Sequence, residues 1–315
     1  MLLSRHALAI LTAFGLLLLP SFAPAAEPGQ QAWLVDTRTV SECDDDPTPA
    51  FSKLVDCAWQ EANAADFHAA HASGVPTVIF IHGNRADVDD ASNMGMVVYA
   101  QLQCIAGDRP FRLVVWSWPS DRIRGPNLRD VRVKACRSDV DGYLLARQIQ
   151  QIDAKVPITL VGYSFGARVI AVASHLLAGG SLDGRVLPGE PVADRAPLRA
   201  VMLAAALDAH WLAPGCRLDR ATTLMDSLLV TVNSCDTVLK VYPLMYRIGG
   251  PQALGRFGPV CLGEEQEKVT LLDVRCCVGR IHDWRRYLCC DCVLTYLPWF
   301  ARLPSADEVA AAPAE

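Results

Sequence analysis

The stretch that most constrains this chain runs from Val156 to Arg168 and reads VPITLVGYSFGAR. It begins with a short apolar, β-branched run after Pro157, which is typical of a buried strand. A G-x-S-x-G pentapeptide follows, and an apolar helical pattern then extends from Ala167 to Leu177 before a pair of glycines. A strand, a tight glycine turn and a helix in immediate succession form the context that a nucleophilic G-x-S-x-G motif requires.

Ser164 stands at the centre of this pentapeptide, between Gly162 and Gly166. Larger side chains at the two flanking positions would collide with neighbouring strands, which explains the glycines. The turn is expected to lift the Ser164 hydroxyl above the sheet, at a helix N-terminus whose N–H groups face developing negative charge. We therefore interpret Ser164 as a nucleophile; the alternative is a glycine-rich turn with an incidental serine.

Predicted strands and helices alternate through most of the chain. The predicted strands are Trp33–Val40, Pro76–Ile81, Phe111–Trp116, Pro157–Val161, Leu198–Leu207, Ser227–Val232 and Lys268–Val274. The predicted helices are a largely helical Phe51–Ser73, then Asn93–Ala106, Val131–Ile152, Ala167–Leu177 and Trp284–Leu297. This alternation predicts the α/β class, with a doubly wound, mostly parallel sheet.

Residues 1–26 show the pattern of a secretory signal peptide. A short polar start with Arg5 and His6 precedes an apolar run, and Ala23-Pro24-Ala25 offers a small-residue cleavage site. We expect cleavage, no stable membrane insertion afterwards, and export to the periplasm or the exterior; an uncleaved anchor is the alternative. Residues 27–304 are predicted to form one domain, and residues 305–315 a disordered tail.

The charge and cysteine content limit the function classes. A net charge of −5 gives no basic footprint for a nucleic-acid partner. Twelve cysteines in an exported chain favour disulfides, concentrated in the last third of the sequence. A redox role for the C-x-x-C formed by Cys289 and Cys292 is disfavoured, as is a zinc site, because no histidine has tetrahedral-site spacing. No metal site is predicted.

A second motif lies upstream of the serine. The apolar run PTVIFI leads directly into His82-Gly83-Asn84, an H-G turn that resembles the oxyanion-hole loop of α/β-hydrolases. Such a loop holds donors where the oxyanion of a tetrahedral intermediate forms. Asn84 is the candidate donor in this loop, joined by the N–H of Phe165, the residue after the nucleophile. His82 is interpreted as fixing the loop.

Four segments together resemble one known superfamily: FIHGN, WSWPS, GYSFGAR and the segment around Asp236. The chain is similar to α/β-hydrolases over about residues 32 to 300, and among their branches it looks most like the bacterial DUF900-type hydrolases. The resemblance implies an α/β-hydrolase fold and a catalytic order of serine, then acid, then histidine.

That order leaves one histidine for the base. Four histidines precede Ser164, His175 lies too far along the following helix, and His210 comes too early in the chain. His282, after the last predicted strand, remains as the expected base, with a helix-capping role as its alternative. Asp236 is the preferred acid and Asp208, after the preceding strand, the alternative acid.

These expectations describe an exported serine hydrolase that forms an acyl-enzyme and needs no cofactor. Only about eighteen residues, including an expected connecting helix, separate the strands ending at Asp208 and starting near Ser227, which predicts a minimal lid or none. We expect an open site, bounded by the H-G loop, the Trp116-to-Ser120 strand exit and the loop around Arg247 to Gly258. The expected substrate is a small-molecule acyl compound, most of all a small soluble carboxylic ester. Lipase, thioesterase and peptidase activities are alternatives, as is a non-catalytic, disulfide-stabilised envelope or binding protein on the same fold.

Overall fold

A twisted sheet organises the chain in the computed structural model, which describes residues 29–40, 48–72, 74–192, 194–246 and 248–303. Within these residues the sheet has nine strands, in the spatial order β3-β2-β1-β5-β4-β6-β7-β8-β9. They are β1 (Gln30–Asp36), β2 (Ala50–Val55), β3 (Ala58–Ala62), β4 (Thr77–Ile81), β5 (Phe111–Ser117), β6 (Ile158–Tyr163), β7 (Leu198–Leu203), β8 (Met225–Val232) and β9 (Val269–Asp273).

In this spatial order, every neighbouring pair from β1 through β5 and onward to β9 is parallel. Only β2 and β3, which form a meander with β1 at one edge, pair in the antiparallel sense. The predicted α/β class with a mostly parallel, doubly wound sheet is therefore confirmed. The three central strands β4, β5 and β6 are buried along their whole length. Strands covered on both faces have no polar side to present, which is why they read as continuous apolar runs in the sequence.

Helices flank the sheet. α2 packs against β5 and α9, and α3 packs along α4, the helix that follows β6. The helices are α1 (Ala64–Ala70), α2 (Val88–Ala106), α3 (Asn127–Gln151), α4 (Phe165–Leu177), α5 (Thr237–Val241), α6 (Leu254–Phe257), α7 (Arg275–Val278), α8 (Trp284–Leu288) and α9 (Asp291–Phe300). Among the residues described, no helix combines the length and apolar character needed to cross a membrane.

The prediction of a largely helical Phe51–Ser73 was wrong. This stretch forms the hairpin of β2 and β3, and only α1 is helical. Asp56 and Cys57 form the turn with φ of 48° and 62°, so that Val55 pairs with Ala58. A two-residue turn with two positive φ values matches the right-handed twist of paired strands. Because Asp-Cys carries no glycine at the turn, the sequence lacks the usual hairpin signal.

Two further expectations needed correction. The predicted closing helix Trp284–Leu297 is two helices, α8 and α9, with Cys289 and Cys290 between them. The connection between β7 and β8 contains turns and no regular helix over residues 208–224. The predicted signal peptide, residues 1–26, and the predicted tail, residues 305–315, lie outside the described residues.

Candidate active site

Ser164 occupies a sharp turn between β6 and α4, at the carboxyl edge of the sheet. Its backbone has φ 55° and ψ −115°, a conformation that costs energy for a residue with a side chain. A Cβ at Gly162 would come 2.6 Å from the carbonyl carbon of Gly166, and a Cβ at Gly166 would come 2.2 Å from the carbonyl oxygen of Ile81. Only glycine fits both positions, as expected from the motif.

Three predicted residues meet in one hydrogen-bonded chain. The Oγ of Ser164 lies 3.0 Å from Nε2 of His282, and Nδ1 of His282 lies 2.8 Å from Oδ2 of Asp236. The members come from three separate connections, after β6, β8 and β9, which the parallel sheet brings to one edge. This geometry allows the imidazole to take the serine proton while the carboxylate holds its other nitrogen.

Asp236 is fully buried, and each of its oxygens is satisfied. Oδ1 accepts from the backbone N–H groups of Val238 and Leu239, because Asp236 caps the N-terminus of α5. Oδ2 accepts from the Tyr287 hydroxyl at 2.7 Å, in addition to His282. Burial by itself would raise the pKa of Asp236, but the hydrogen bond and charge of His282 and the other donors outweigh it and hold that pKa below its ordinary value.

Asp208, the alternative acid, has a different partner. Its Oδ1 accepts from the Tyr242 hydroxyl at 2.7 Å. Burial raises the pKa of Asp208, although the Tyr242 hydrogen bond and the charge of Arg168 oppose that rise. The hydrogen bond to Nδ1 of His282 comes from Asp236, so the geometry favours Asp236 over Asp208 as the acid.

The H-G loop lies directly against the serine. A Cβ at Gly83 would come 3.1 Å from the Cβ of Ser164, which shows how closely the loop approaches. Asn84 uses its side-chain Oδ1 to accept from the N–H of Arg85, so the amide oxygen is engaged within the loop. Phe165 is the first residue of α4, and its N–H belongs to the helical turn whose donors lack partners within the helix.

His82 is a buried support for this loop. Its Nδ1 donates to the carbonyl of Gly83 at 2.8 Å, and its Nε2 accepts from the N–H of Trp118 at 3.1 Å. The Trp118 indole donates back to the carbonyl of His82 and stacks on its ring. Burial lowers the pKa of His82 to about 3, so the ring stays neutral and keeps both contacts. This arrangement agrees with the expectation that His82 fixes the H-G loop.

One of the expected walls of the site needs correction. Trp116 and Trp118, expected to border an open site, are fully buried and belong to the core. Gln252 to Gly255, from the expected loop around Arg247 to Gly258, cross the end of β7, where the N–H groups of Leu254 and Gly255 donate to Leu207 and Ala205. This segment belongs to the connection between β8 and β9. Arg247, named with the expected border, lies outside the described residues.

Two groups of functional interest were missed. Tyr287 supports the acid from α8, and Arg168 forms a buried bidentate pair with Asp139 at 2.7 Å, one turn along α4 from the serine. No local motif marks either contact. The spacing of Tyr287 five residues after the predicted base was the available signal.

One group of possible metal ligands occurs among the described residues, and it contains none of Ser164, Asp236 and His282. The sulfurs of Cys277, Cys290 and Cys292 lie within 4.8 Å of one another. The described cysteines are free thiols, and Cys43 lies outside the described residues.

No protein-family model matches the chain, and neither does any curated protein. Among solved structures, esterase B from Lactobacillus rhamnosis has 12% identity, a TM-score of 0.40 and coverage of 91% of this chain and 92% of its own. Acyl-protein thioesterase 2 from Zea mays has 14% identity, a TM-score of 0.35 and coverage of 73% and 95%. The acetyl xylan esterase core from Trichoderma reesei has 12% identity, a TM-score of 0.33 and coverage of 64% and 84%. These likenesses are distant, and the function proposed below rests on side-chain geometry.

Proposed function

We propose that the protein is a serine hydrolase of the α/β-hydrolase superfamily that cleaves carboxylic esters through an acyl-enzyme. The observation that carries this proposal is the unbroken contact from Ser164 through His282 to the buried Asp236. A serine hydroxyl is a weak nucleophile by itself, and an adjacent, oriented base activates it. The strained turn and the two obligatory glycines at Ser164 support the same proposal, because they hold the hydroxyl within reach of that base.

In the proposed reaction, Oγ of Ser164 attacks the ester carbonyl while Nε2 of His282 takes its proton. The tetrahedral intermediate collapses when the imidazolium returns the proton to the leaving alkoxide, which gives an alcohol and an acyl-serine. Water then attacks the acyl-serine with the same base, and the acid is released. Asp236 keeps Nδ1–H of His282 pointing away from the serine and stabilises the imidazolium.

The oxyanion is expected to form beside the H-G loop. The N–H of Phe165 lies in the first turn of α4, directly after Ser164, and the loop after His82 lies against Ser164. The hydrogen bond with the N–H of Arg85 uses only Oδ1 of Asn84, so Asn84 can offer its backbone N–H or its side-chain Nδ2 as the donor to the oxyanion.

The substrate proposed is a small, soluble ester. The connection over residues 208–224 is built of turns and provides no cap of its own. A panel of acyl substrates would also show whether thioesters or amides are cleaved. Membership of the DUF900-type branch stays a proposal.

Export is a separate proposal. Recovery of a secreted chain beginning near Ala26, by N-terminal sequencing, would support it, and an intact Met1 in the cytoplasm would contradict it.

The test is labelling of the folded protein with a fluorophosphonate, followed by p-nitrophenyl acetate turnover. We expect one phosphonate on Ser164, no labelling and no turnover in Ser164→Ala, and an unchanged melting temperature. Ser181→Ala, at an exposed serine beyond the far end of α4, is the matched control and should behave as the unmodified chain. A folded chain that neither labels nor turns over any acyl substrate would favour a binding protein instead.

A further inference from the structure

Three thiols converge beside the segment that carries His282. The Sγ atoms of Cys277, Cys290 and Cys292 lie within 4.8 Å of one another, and those of Cys277 and Cys292 are 3.3 Å apart. Cys277 belongs to α7, directly after β9, and Cys292 belongs to the first turn of α9. The sulfurs of Cys277 and Cys292 therefore stand at the two ends of one segment, residues 278–291, which includes α8.

Several hydrogen bonds attach this segment to the residues around Asp236. The carbonyl of Gly279 accepts from the side chain of Asn233, and the carbonyl of Arg280 accepts from both the N–H and the hydroxyl of Thr237. His282 and Tyr287 add the two contacts to Oδ2 of Asp236.

The strand that leads into the segment offers limited support. β9 is the last strand of the sheet, pairs only with β8, and has no fully buried residue. Edge strands and the segments after them open more easily than central ones. A covalent tie between the two ends of residues 278–291 would therefore restrict the part of the molecule that carries the base.

We propose that Cys277 and Cys292 form a disulfide that closes this segment and holds His282 in place. Its effect on turnover rests on the proposed function; the bond itself does not. The oxidant is an organic disulfide. A thiolate of the pair attacks it to give a mixed disulfide and one free thiol, and the second cysteine displaces the other thiol. Two protein thiols are oxidised, one S–S bond forms, and the organic disulfide is reduced to two thiols.

The geometry favours this pair over the other uses of the cluster. Cys290 is buried, whereas Cys277 is exposed and accessible to an oxidant. Two sulfurs that share one tetrahedral zinc ion stand about 3.8 Å apart, which is wider than the Cys277–Cys292 contact.

The primary test is a peptide map of the whole chain after oxidation with oxidised glutathione and tryptic digestion without reductant. We expect peptide 276–280 joined to peptide 287–302. Because these peptides also carry Cys276, Cys289 and Cys290, four variants assign the bond. Cys277→Ser and Cys292→Ser should lose the joined peptide, and the neighbour controls Cys276→Ser and Cys290→Ser should keep it.

Three results would overturn the proposal. The first is free thiols at Cys277 and Cys292 after oxidation, and the second is a joined peptide that depends on Cys290 in place of Cys292. The third is a stoichiometric metal ion that is lost when any one of Cys277, Cys290 and Cys292 is replaced by serine. Metal content is measured by mass spectrometry of the purified, unoxidised chain.

The second test measures the role of the bond. Reduction should lower the melting temperature by roughly 5 °C more in the oxidised chain than in the Cys277→Ser/Cys292→Ser double variant, as for closure of a loop of this size. On reduction, turnover should fall several-fold in the oxidised chain and stay constant in the double variant. Equal shifts in melting temperature in both proteins would contradict the proposed stabilising role of the disulfide.

Repeating the melting test in Ser164→Ala separates the two proposals. The difference in melting shift should persist there, whether or not Ser164 is a nucleophile.

Discussion

The hydroxyl of Tyr287 donates to Oδ2 of Asp236 at 2.7 Å, the same oxygen that Nδ1 of His282 approaches at 2.8 Å. Asn233 in turn donates from Nδ2 to the Tyr287 hydroxyl at 3.0 Å. The carboxylate is therefore held by α8 as well as by its own position at the start of α5. The tyrosine hydroxyl contacts the carboxylate and Asn233, so we regard Tyr287 as a positioning residue that acts through Asp236.

Tyr287→Phe should lower kcat about tenfold with little change in KM. The change removes one hydrogen bond to a buried carboxylate, a contact worth about 1.5–3 kcal/mol, and frees Asp236 to shift relative to His282. Steady-state kinetics on a p-nitrophenyl ester measure it. The exposed Tyr296→Phe on α9 is the control and should match the unmodified chain. An unchanged kcat in Tyr287→Phe would show that α5 alone positions the acid.

Asp236→Asn should cost several orders of magnitude in kcat, whereas Asp208→Asn should cost less than tenfold. Loss of the carboxylate leaves His282 without a partner that fixes its tautomer and stabilises its charge. Asp208 contacts Tyr242 instead, and its amide replacement keeps an acceptor for that hydroxyl. Melting curves of both variants serve as folding controls. If the sizes of the two effects are exchanged, Asp208 is the acid.

Asp141→Asn should change how stability depends on pH. Burial raises the pKa of Asp141 to about 7, despite the hydrogen bond from the Thr37 hydroxyl and the charge of Arg38. Between about pH 4 and about pH 7 the folded chain then holds a proton that the unfolded chain has released. Stability from this group is therefore present at low pH and lost as pH rises towards 7.

Urea unfolding at pH 5 and at pH 8 measures how much the free energy of unfolding falls between these two pH values. We expect this fall to be on the order of 2 kcal/mol larger in the unmodified chain than in Asp141→Asn. The comparison must be made between the two proteins, because burial lowers the pKa of His71 and His82 and their contributions have the opposite slope. Asp89→Asn, at an exposed position of α2, is the control. Parallel pH profiles would mean that Asp141 is ionised in the folded chain at pH 5.

The length of the acyl group provides a fourth prediction. Because residues 208–224 form turns and no helical cap, kcat/KM for p-nitrophenyl esters should be highest for short acyl chains. It should not rise at a lipid interface. Burial of each CH₂ is worth roughly 0.8 kcal/mol, so an enclosed acyl site would give a steady rise with chain length. Val238, Val241 and Ile281 are half-exposed near the acid and base. A rise out to ten carbons would show that such side chains bind the acyl group.

Local pattern determined the central strands and the turn at Ser164. Continuous apolar runs identify strands buried on both faces, and Gly162 and Gly166 are required by contacts with backbone atoms that no substitution can avoid. The candidate Ser164 follows from the G-x-S-x-G motif, and the candidates Asp236 and His282 follow from the serine–acid–histidine order that the resemblance to α/β-hydrolases implies. The hairpin of β2 and β3 escaped prediction because its turn residues, Asp56 and Cys57, are unusual at positive φ.

Tertiary structure decided what depends on contacts between distant residues. Which of the two carboxylates, Asp236 or Asp208, contacts His282 depends on the position of the imidazole, since each carboxylate follows a strand of the same edge. The contact of Tyr287 with Asp236 spans fifty-one residues, and that of Arg168 with Asp139 joins two packed helices. Sequence spacing is informative only within one helix or strand, whereas these pairs are set by how the sheet orders its strands and how the flanking helices pack on it.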